Sequence, residues 1–350
     1  MIVTIKKSFK DSFQFYLSIM RDDKILFLTD SDVRYLEEEV NGFEVARSAL
    51  RDLGINRARN APRLWLSTGS GGIYRALMAS SDTLSVEGLK QGLWSAGEIA
   101  GKPKTVERNT ELVTLVSENE GRILSIINSP RMNELRTSSI TTVATDLLSN
   151  RDSSSITVLG TGPFSKALIL DTVKIRDIEL VYVFARNMEK MLKFSNEVGK
   201  EIELEIHPIK ELKEGSLKSD IILEATYASE PLLGADDLRL GTHISSIGST
   251  FAGRKTFKNS FFRALDLVVT DYKEQILNDK AGDLLEPLAM NIFKLDAILN
   301  LSDIIIGKNK GRKSSSDITL FKSLGMGLMD VAFAYAFYRK AVDKGVGSYL

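Results

Sequence analysis

The residues best suited to chemistry lie at one glycine turn. Residues 156–159 read as a short apolar strand, Gly160-Thr161-Gly162-Pro163-Phe164-Ser165 follows, and SKALILDTV reads as a helix. A strand, a glycine turn and a helix start form a phosphate cradle. The first glycine permits the turn, the second lets a phosphate approach the backbone, and the helix start offers free amides and a favourable dipole. Pro163 suits the first helical turn, where its missing amide costs nothing. Ser165 replaces the third glycine of the dinucleotide fingerprint and is small enough to preserve close packing. About twenty residues on, where the ribose reader belongs, stands Phe184-Ala185-Arg186-Asn187. The usual acid is absent. Arginine can pair with a 2′-phosphate, which favours NADP(H), with NAD(H) as the alternative. The competing reading has Arg186 stacking on the adenine or lying in solvent.

Other chemistries are constrained by composition. The 350 residues include no cysteine, which excludes disulfides, thiolate nucleophiles and cysteine-held metals. The only histidines, His207 and His243, each lie beside an apolar strand-like run, and a structural or surface role is expected for both. No metal site is expected. Lys plus Arg and Asp plus Glu each number 46, so the balance of charge does not suggest a nucleic-acid or membrane coat. The first residues carry charge but no apolar signal core, and no run has the length of a membrane span. A cytoplasmic protein is expected.

The elements around the turn follow from apolar spacing. Residues 31–53 read as helix, capped by Ser31 or Asp32 and open to a split at Gly42. Residues 63–128 read as antiparallel strands, and 133–149 as a second amphipathic helix. From 155 to 275 the runs SITVLG, ELVYVFA, SDIILEA, THISSIG and LDLVVTD alternate with helical or loop segments. Nearly continuous apolar strands of this kind indicate a parallel sheet covered on both faces. Residues 318–343 read as a long apolar helix returning to the first domain. The expected architecture is α/β: a Rossmann-type doubly wound parallel sheet, residues 135–318, inserted in a second α/β domain for substrate binding and dimerisation, residues 1–134 plus 319–350.

Several ordered blocks resemble the ornithine cyclodeaminase/mu-crystallin family. They are Asn60-Ala61-Pro62-Arg63, Gly88-Leu89-Lys90, Leu135-Arg136-Thr137, Gly160-Thr161-Gly162, Glu224-Ala225-Thr226, Ile247-Gly248, Gly307, Gly311-Arg312 and Thr319 to Gly325 with Asp330. The resemblance spans roughly residues 25 to 348 and implies a homodimer. It assigns Arg63, Lys90 and Arg136 to the substrate, where fixed cations suit a carboxylate. Lys90 is the implied catalytic residue, its amine brought towards neutrality by burial and neighbouring arginines. It further implies cofactor contacts at Arg136 and Thr137, expected to open a helix, and at Gly160, Thr161, Gly162, Pro163, Phe164, Ala185, Arg186, Asn187, Thr226, Gly248, Ser249 and Leu324. Plain core packing is the alternative for Leu324.

The chain departs from the cyclodeaminase pattern after the fifth nucleotide strand. Thr250 stands where those enzymes carry an aspartate, and Thr256 where a glutamate follows. Threonine has no acid–base capacity near neutral pH. The expected function is therefore an NAD(P)H-dependent oxidoreductase acting on the C=N or CH–NH bond of a small imino or amino acid. The alternatives are an ornithine cyclodeaminase-type ammonia lyase and a mu-crystallin-like protein that binds NADPH and a small acid.

Overall fold

The computed structural model describes residues 24–67, 73–94, 98–99, 102–103, 111–248, 250 and 254–350. Within them the chain first forms β1 (Leu26–Leu28), α1 (Asp30–Leu36), α2 (Gly42–Gly54), β2 (Ala58–Asn60), β3 (Leu64–Ser67), β4 (Ile73–Ser81), β5 (Val86–Trp94), β6 (Glu98–Ile99), β7 (Lys102–Pro103), β8 (Leu112–Ser117) and β9 (Arg122–Ile127). The helical stretch after β1 is indeed split, at residues 40–41. Its start is capped by Thr29, whose hydroxyl accepts from the Asp32 amide while the Asp32 carboxylate accepts from the Thr29 amide. This reciprocal box replaces the expected caps Ser31 and Asp32, because it satisfies two end amides together.

Together with β18 (Ser348–Tyr349), the strands assemble in the order β18-β1-β9-β8-β5-β4-β2, with β3 also on β4. All pairs are antiparallel except β1 with β9. Alternation decides what each strand presents. On β4, Leu77 and Ala79 face the core while Tyr74 and Met78 are exposed. Arg75 and Lys90 fall in the inward phase of β4 and β5, so these two charged side chains are forced into the interior.

The second sheet is wholly parallel. Its strands are β10 (Ser155–Leu159), β11 (Leu180–Phe184), β12 (Ile206–Pro208), β13 (Ile221–Glu224), β14 (His243–Ser246), β15 (Leu267–Thr270), β16 (Leu299–Asn300) and β17 (Thr319–Lys322). They lie in the order β12-β11-β10-β13-β14-β17-β15-β16. The chain runs outward one way from β10 and the other way from β13. The crevice between those strands' carboxyl ends is the switch point where such sheets hold ligands.

Three long helices pack against these sheets. α3 (Pro130–Leu148) packs on α1 and α2 with one part of its length and on β14, β17 and α4 (Pro163–Thr172) with another. α5 (Met188–Ile202) covers β11 and β12. α6 (Gly327–Lys344) lies on β4, β5 and β8, with Phe333 and Phe337 wholly buried among Val113, Leu115 and Leu50. Close seating requires Gly88: a Cβ there would stand 2.8 Å from Val331 Cγ2. Asn60 accepts from the Leu328 amide at 3.0 Å and so caps α6 from across the fold.

Two expected boundaries are corrected. Residues 319–322 do not begin the tail helix. They form β17, a strand between β14 and β15, and a division at residue 319 would cut the parallel sheet. Its apolar run fits a strand buried on both faces as well as it fits a helix, which apolar content alone cannot separate. Likewise α3 starts at Pro130, not 133, with Ser129 Oγ accepting from the Met132 amide at 3.0 Å. Arg136 and Thr137 therefore lie in its second turn rather than opening it.

The amino ends of the parallel strands are closed by Arg312. Its guanidinium donates to the carbonyls of Leu148 at 2.6 Å, Asp317 at 2.6 Å and Gly241 at 3.1 Å. His243 lies beside it, wholly buried, with ring nitrogens 2.9 Å from the hydroxyls of Thr319 and Ser245. Burial first, then Arg312 and Arg176, push its pKa down to about 3. Among the described residues no helix is long and apolar enough to cross a membrane.

Folded His243 stays neutral to about pH 3, whereas an unfolded histidine binds a proton below about 6.5. In that window the unfolded chain holds the extra proton, so stability falls as pH falls. Relative to His243→Gln, the parent should lose a further ~1.4 kcal/mol for each pH unit between 6 and 4. Urea melts of both proteins across that range check this. Parallel curves would show that His243 carries no such linkage.

Candidate functional site

At the switch point, Gly160 follows β10 with φ at +109°, and a Cβ on it would stand 2.9 Å from the Ala225 carbonyl beyond β13. A side chain would thus be strained and would wedge the two loops apart. Gly162 has no atom within 4 Å of where its Cβ would be, and it caps α4 without a side-chain hydrogen bond. The first amides of α4 therefore face open space, as a pyrophosphate requires. Ser165 is fully buried and its Oγ has no hydrogen-bond partner. Thr161 and Phe164 are half-buried beside this turn, and Pro163 is exposed. These residues fit a dinucleotide. At the end of β11, Ala185 donates its amide to Met191 Sδ, Arg186 is exposed, and Asn187 Oδ1 caps α5 by accepting from the Lys190 amide at 2.8 Å.

Buried carboxylates fix the neighbouring loops. Glu224 accepts from the Thr226 hydroxyl at 2.6 Å, the Ser246 hydroxyl at 2.6 Å and the Gly248 amide at 3.2 Å. Lys322, fully buried, donates to Ser246 Oγ at 2.9 Å, to the Gly248 carbonyl and to Asp283 at 2.8 Å. Burial raises the Asp283 carboxyl, an effect opposed by Lys322. Asp271 accepts from the amides of Leu324 and Gly325 and from the Ser323 hydroxyl. It thereby holds the turn after β17, where Gly325 has φ +82°. Leu324 is buried in the apolar cluster of Leu159, Ile222, Ile244 and Leu320.

Over this turn stands a cluster of cations. A Cβ on Gly325 would be 3.2 Å from Arg63 Nη2 and 3.6 Å from Arg136 Nη1, so the two guanidinium groups flank one glycine. Arg63 pairs with Asp279, which also accepts from Trp65 Nε1 at 2.9 Å, and donates to the Leu324 carbonyl at 2.9 Å. Arg136 lies 3.1 Å from Asp330 and donates to Asn133 Oδ1 at 2.6 Å. Lys90 donates to the same Asn133 oxygen at 2.6 Å and lies 3.3 Å from both Asp330 and Glu111. Glu111 also pairs with Arg75.

Burial is the largest influence on Lys90. Desolvation, opposed by Asp330 and reinforced by Arg136 and Arg75, lowers its pKa from 10.5 to about 7. Burial also lowers Arg75, to about 10, with Arg63 and Arg136 adding to the effect. Burial would raise Asp330, but Arg136 and Lys90 outweigh it and hold the carboxylate below its ordinary range. An amine near neutrality can give or take a proton at physiological pH.

The structure thus brings Arg63, Lys90 and Arg136 together. The Thr137 hydroxyl donates to the Asn133 carbonyl within α3 at 2.7 Å, and its amide lies inside the helix rather than at its open end. Ser249 lies outside the described residues. Thr250 is half-buried, and Thr256 is buried with its amide on Asp283 at 2.6 Å. Sequence reasoning missed Arg75, Glu111, Asn133 and Asp279. For Arg75 a signal existed, a charge in the core-facing phase of an apolar strand. Asp279 meets Arg63 only through tertiary structure.

Residues 24–345 match the ornithine cyclodeaminase/mu-crystallin family. A Delta(1)-pyrroline-2-carboxylate reductase of Bacillus thuringiensis subsp. konkukian is 30% identical over 238 residues, covering 68% of this chain and 73% of its own. An alanine dehydrogenase of Archaeoglobus fulgidus is 23% identical over 327 residues, covering 92% of this chain and 97% of its own. Among solved structures, the Thermococcus litoralis Delta(1)-pyrroline-2-carboxylate reductase in complex with NADH and L-proline superposes with a TM-score of 0.84 at 26% identity. It covers 93% of this chain and 100% of its own. With the glycine turn, the parallel sheet and the facing cations already in place, this chain belongs to the ornithine cyclodeaminase/mu-crystallin family.

Proposed function

We infer that the protein is an NAD(P)H-dependent oxidoreductase that reduces the C=N bond of a small imino acid and oxidises the matching amino acid in reverse. One observation carries the reading: buried Lys90, poised near neutrality among Asp330, Arg136 and Arg75, belongs to a cation cluster seated on the turn after β17. That turn lies at the carboxyl end of the parallel sheet, where the crevice opens. The Bacillus and Thermococcus relatives, both named as reductases of a cyclic imino acid, point to the same substrate class.

The cations set the substrate's charge. Among the described residues Arg63, Arg75, Lys90 and Arg136 are ion-paired with Asp279, Glu111 and Asp330, and Asp271 also acts on Arg63. Guanidinium groups on both sides of one glycine suit a substrate carboxylate. Arg63 and Arg136 can grip that carboxylate on either side of Gly325, which orients the imine towards Lys90. A bound dihydronicotinamide supplies the hydride. Lys90, as the ammonium, gives a proton to the imine nitrogen, and in reverse its neutral amine takes that proton back. Gly160, Gly162 and the first amides of α4 would hold the pyrophosphate, while Thr226, Gly248 and Leu324 would line the nicotinamide end. Thr250 offers no carboxylate for the substrate amine, which sets ornithine cyclisation aside.

We further propose that Arg186 favours NADPH, because it ends β11 exposed and without a competing acid in its own strand end. A second copy of the chain is proposed to cover β3 and β4, where Leu64, Leu66, Tyr74 and Met78 form an exposed apolar face.

Four measurements test these readings. Lys90→Met should cut imine reduction at least a hundredfold with cofactor affinity within about twofold, and an undiminished rate would remove Lys90 from the mechanism. In the parent, kcat/KM for reduction should be level below about pH 7 and fall above it as Lys90 loses its proton, with the oxidation profile rising through the same pH. Arg186→Ala should weaken NADPH ten- to a hundredfold, from a lost charge-assisted contact of ~1.5–3 kcal/mol, and leave NADH nearly unchanged. Equal losses for both would refute the 2′-phosphate reading. Leu66→Asp should convert a dimer to monomer in light scattering, and a parent that is already monomeric would dismiss the proposed second copy.

A further inference from the structure

Lys90 is closed off from water, its side chain only 4% exposed, so the proton it gives away must be replaced through a neighbour. Asp330 cannot serve, being 1% exposed itself. Arg136 and Arg75 are cations, and Asn133 does not titrate. Glu111 differs. Its side chain is 23% exposed and its carboxylate lies 3.3 Å from Lys90 Nζ. The strand register explains the contact. Lys90 stands opposite Leu77 on one side and Val113 on the other, and Arg75 stands opposite Gly92. Carrying the β5–β8 register one residue further places Glu111 opposite Gly92 as well. Gly92 has no side chain, so Arg75 and Glu111 meet across it, directly beside Lys90.

We propose that Glu111 is a positioning residue that relays protons between solvent and Lys90, with Arg75 fixing its carboxylate at the inner face of the sheet. This rests on the role inferred above for Lys90. In the reductive direction the imine carbon gains a hydride with its two electrons, and the C–N π pair takes a proton from the Lys90 ammonium. The products are the amine, the oxidised nicotinamide and a neutral Lys90. A solvent proton captured by the Glu111 carboxylate then passes to the Lys90 amine, so each turnover consumes one hydride and one proton. In oxidation the same route runs outward.

Among the described residues the groups facing Lys90 are Asp330 from α6, Asn133 and Arg136 from α3, Arg75 from β4 and Glu111 before β8, and removing Glu111 takes away one of the two anions among them. The first readout is therefore the Lys90 ionisation in cofactor-free protein labelled with 13C at lysine Cε, assigned by its absence in Lys90→Met. Glu111→Gln should lower the Lys90 midpoint by one pH unit or more, and Glu111→Asp should restore it. Arg75→Met breaks the same ion pair but keeps the carboxylate, and it should raise the midpoint instead. The second readout is turnover. Glu111→Gln should lose about tenfold in kcat with the imino acid KM within twofold, and added formate should recover part of the loss. An unchanged midpoint and an unchanged kcat in Glu111→Gln would overturn the relay. If Lys90→Met is inactive in that case, only the relay falls; if Lys90→Met is active, the reading of Lys90 falls first.

Discussion

The site depends on one carboxylate. Asp330 is buried on α6 between Lys90 and Arg136, 3.3 Å and 3.1 Å away. Two cations pressed together away from water repel one another and each suffers desolvation. A single anion between them offsets both terms and also positions them, since each cation shares Asn133 Oδ1 as a second partner. The carboxylate comes from near the chain's end, while the cations come from β5 and α3. The cluster therefore forms only when the last helix has docked.

The same device recurs around the crevice. Asp271 gathers the amides of Leu324 and Gly325, Asp283 those of Thr256 and Phe257, and Glu224 those of Thr226 and Gly248. Asp271 and Asp283 are satisfied largely by backbone donors from a loop at the carboxyl end of a strand, and Glu224 by backbone amides and hydroxyls together. Loops held this way have little conformational freedom to lose when a ligand arrives, which favours binding and alignment. The cost is a set of charges that tolerate no vacancy among their partners.

Much of this was legible in the sequence because its signals were local. The five apolar runs became β10, β11, β13, β14 and β15, and the glycine turn sits where strand and helix patterns placed it. Arg63, Lys90 and Arg136 were named through the resemblance, and the fold gathers them. The failures have physical causes. Residues 319–322 looked helical because a strand buried on both faces has no alternation to betray it. Arg136 and Thr137 seemed to open a helix because Ser129 and Pro130, the true cap and first residue, preceded the resembling block. Asp279 could not be paired with Arg63, nor Asn133 with Lys90, since nothing in a linear chain reports contacts across 216 or 43 positions.

α3 has a mechanical meaning beyond its contacts. Asn133 and Arg136, near its start, stand in the cation cluster, while Thr145, three turns on, is 2.9 Å from Ser245 in the parallel sheet. The other described crossing, the turn after β17, is clasped by Asp271 and Arg63. One connection is a continuous helix and the other is tied on both sides. Among the described residues the span from the glycine turn to Lys90 is therefore bridged by a continuous helix on one side and a tied turn on the other.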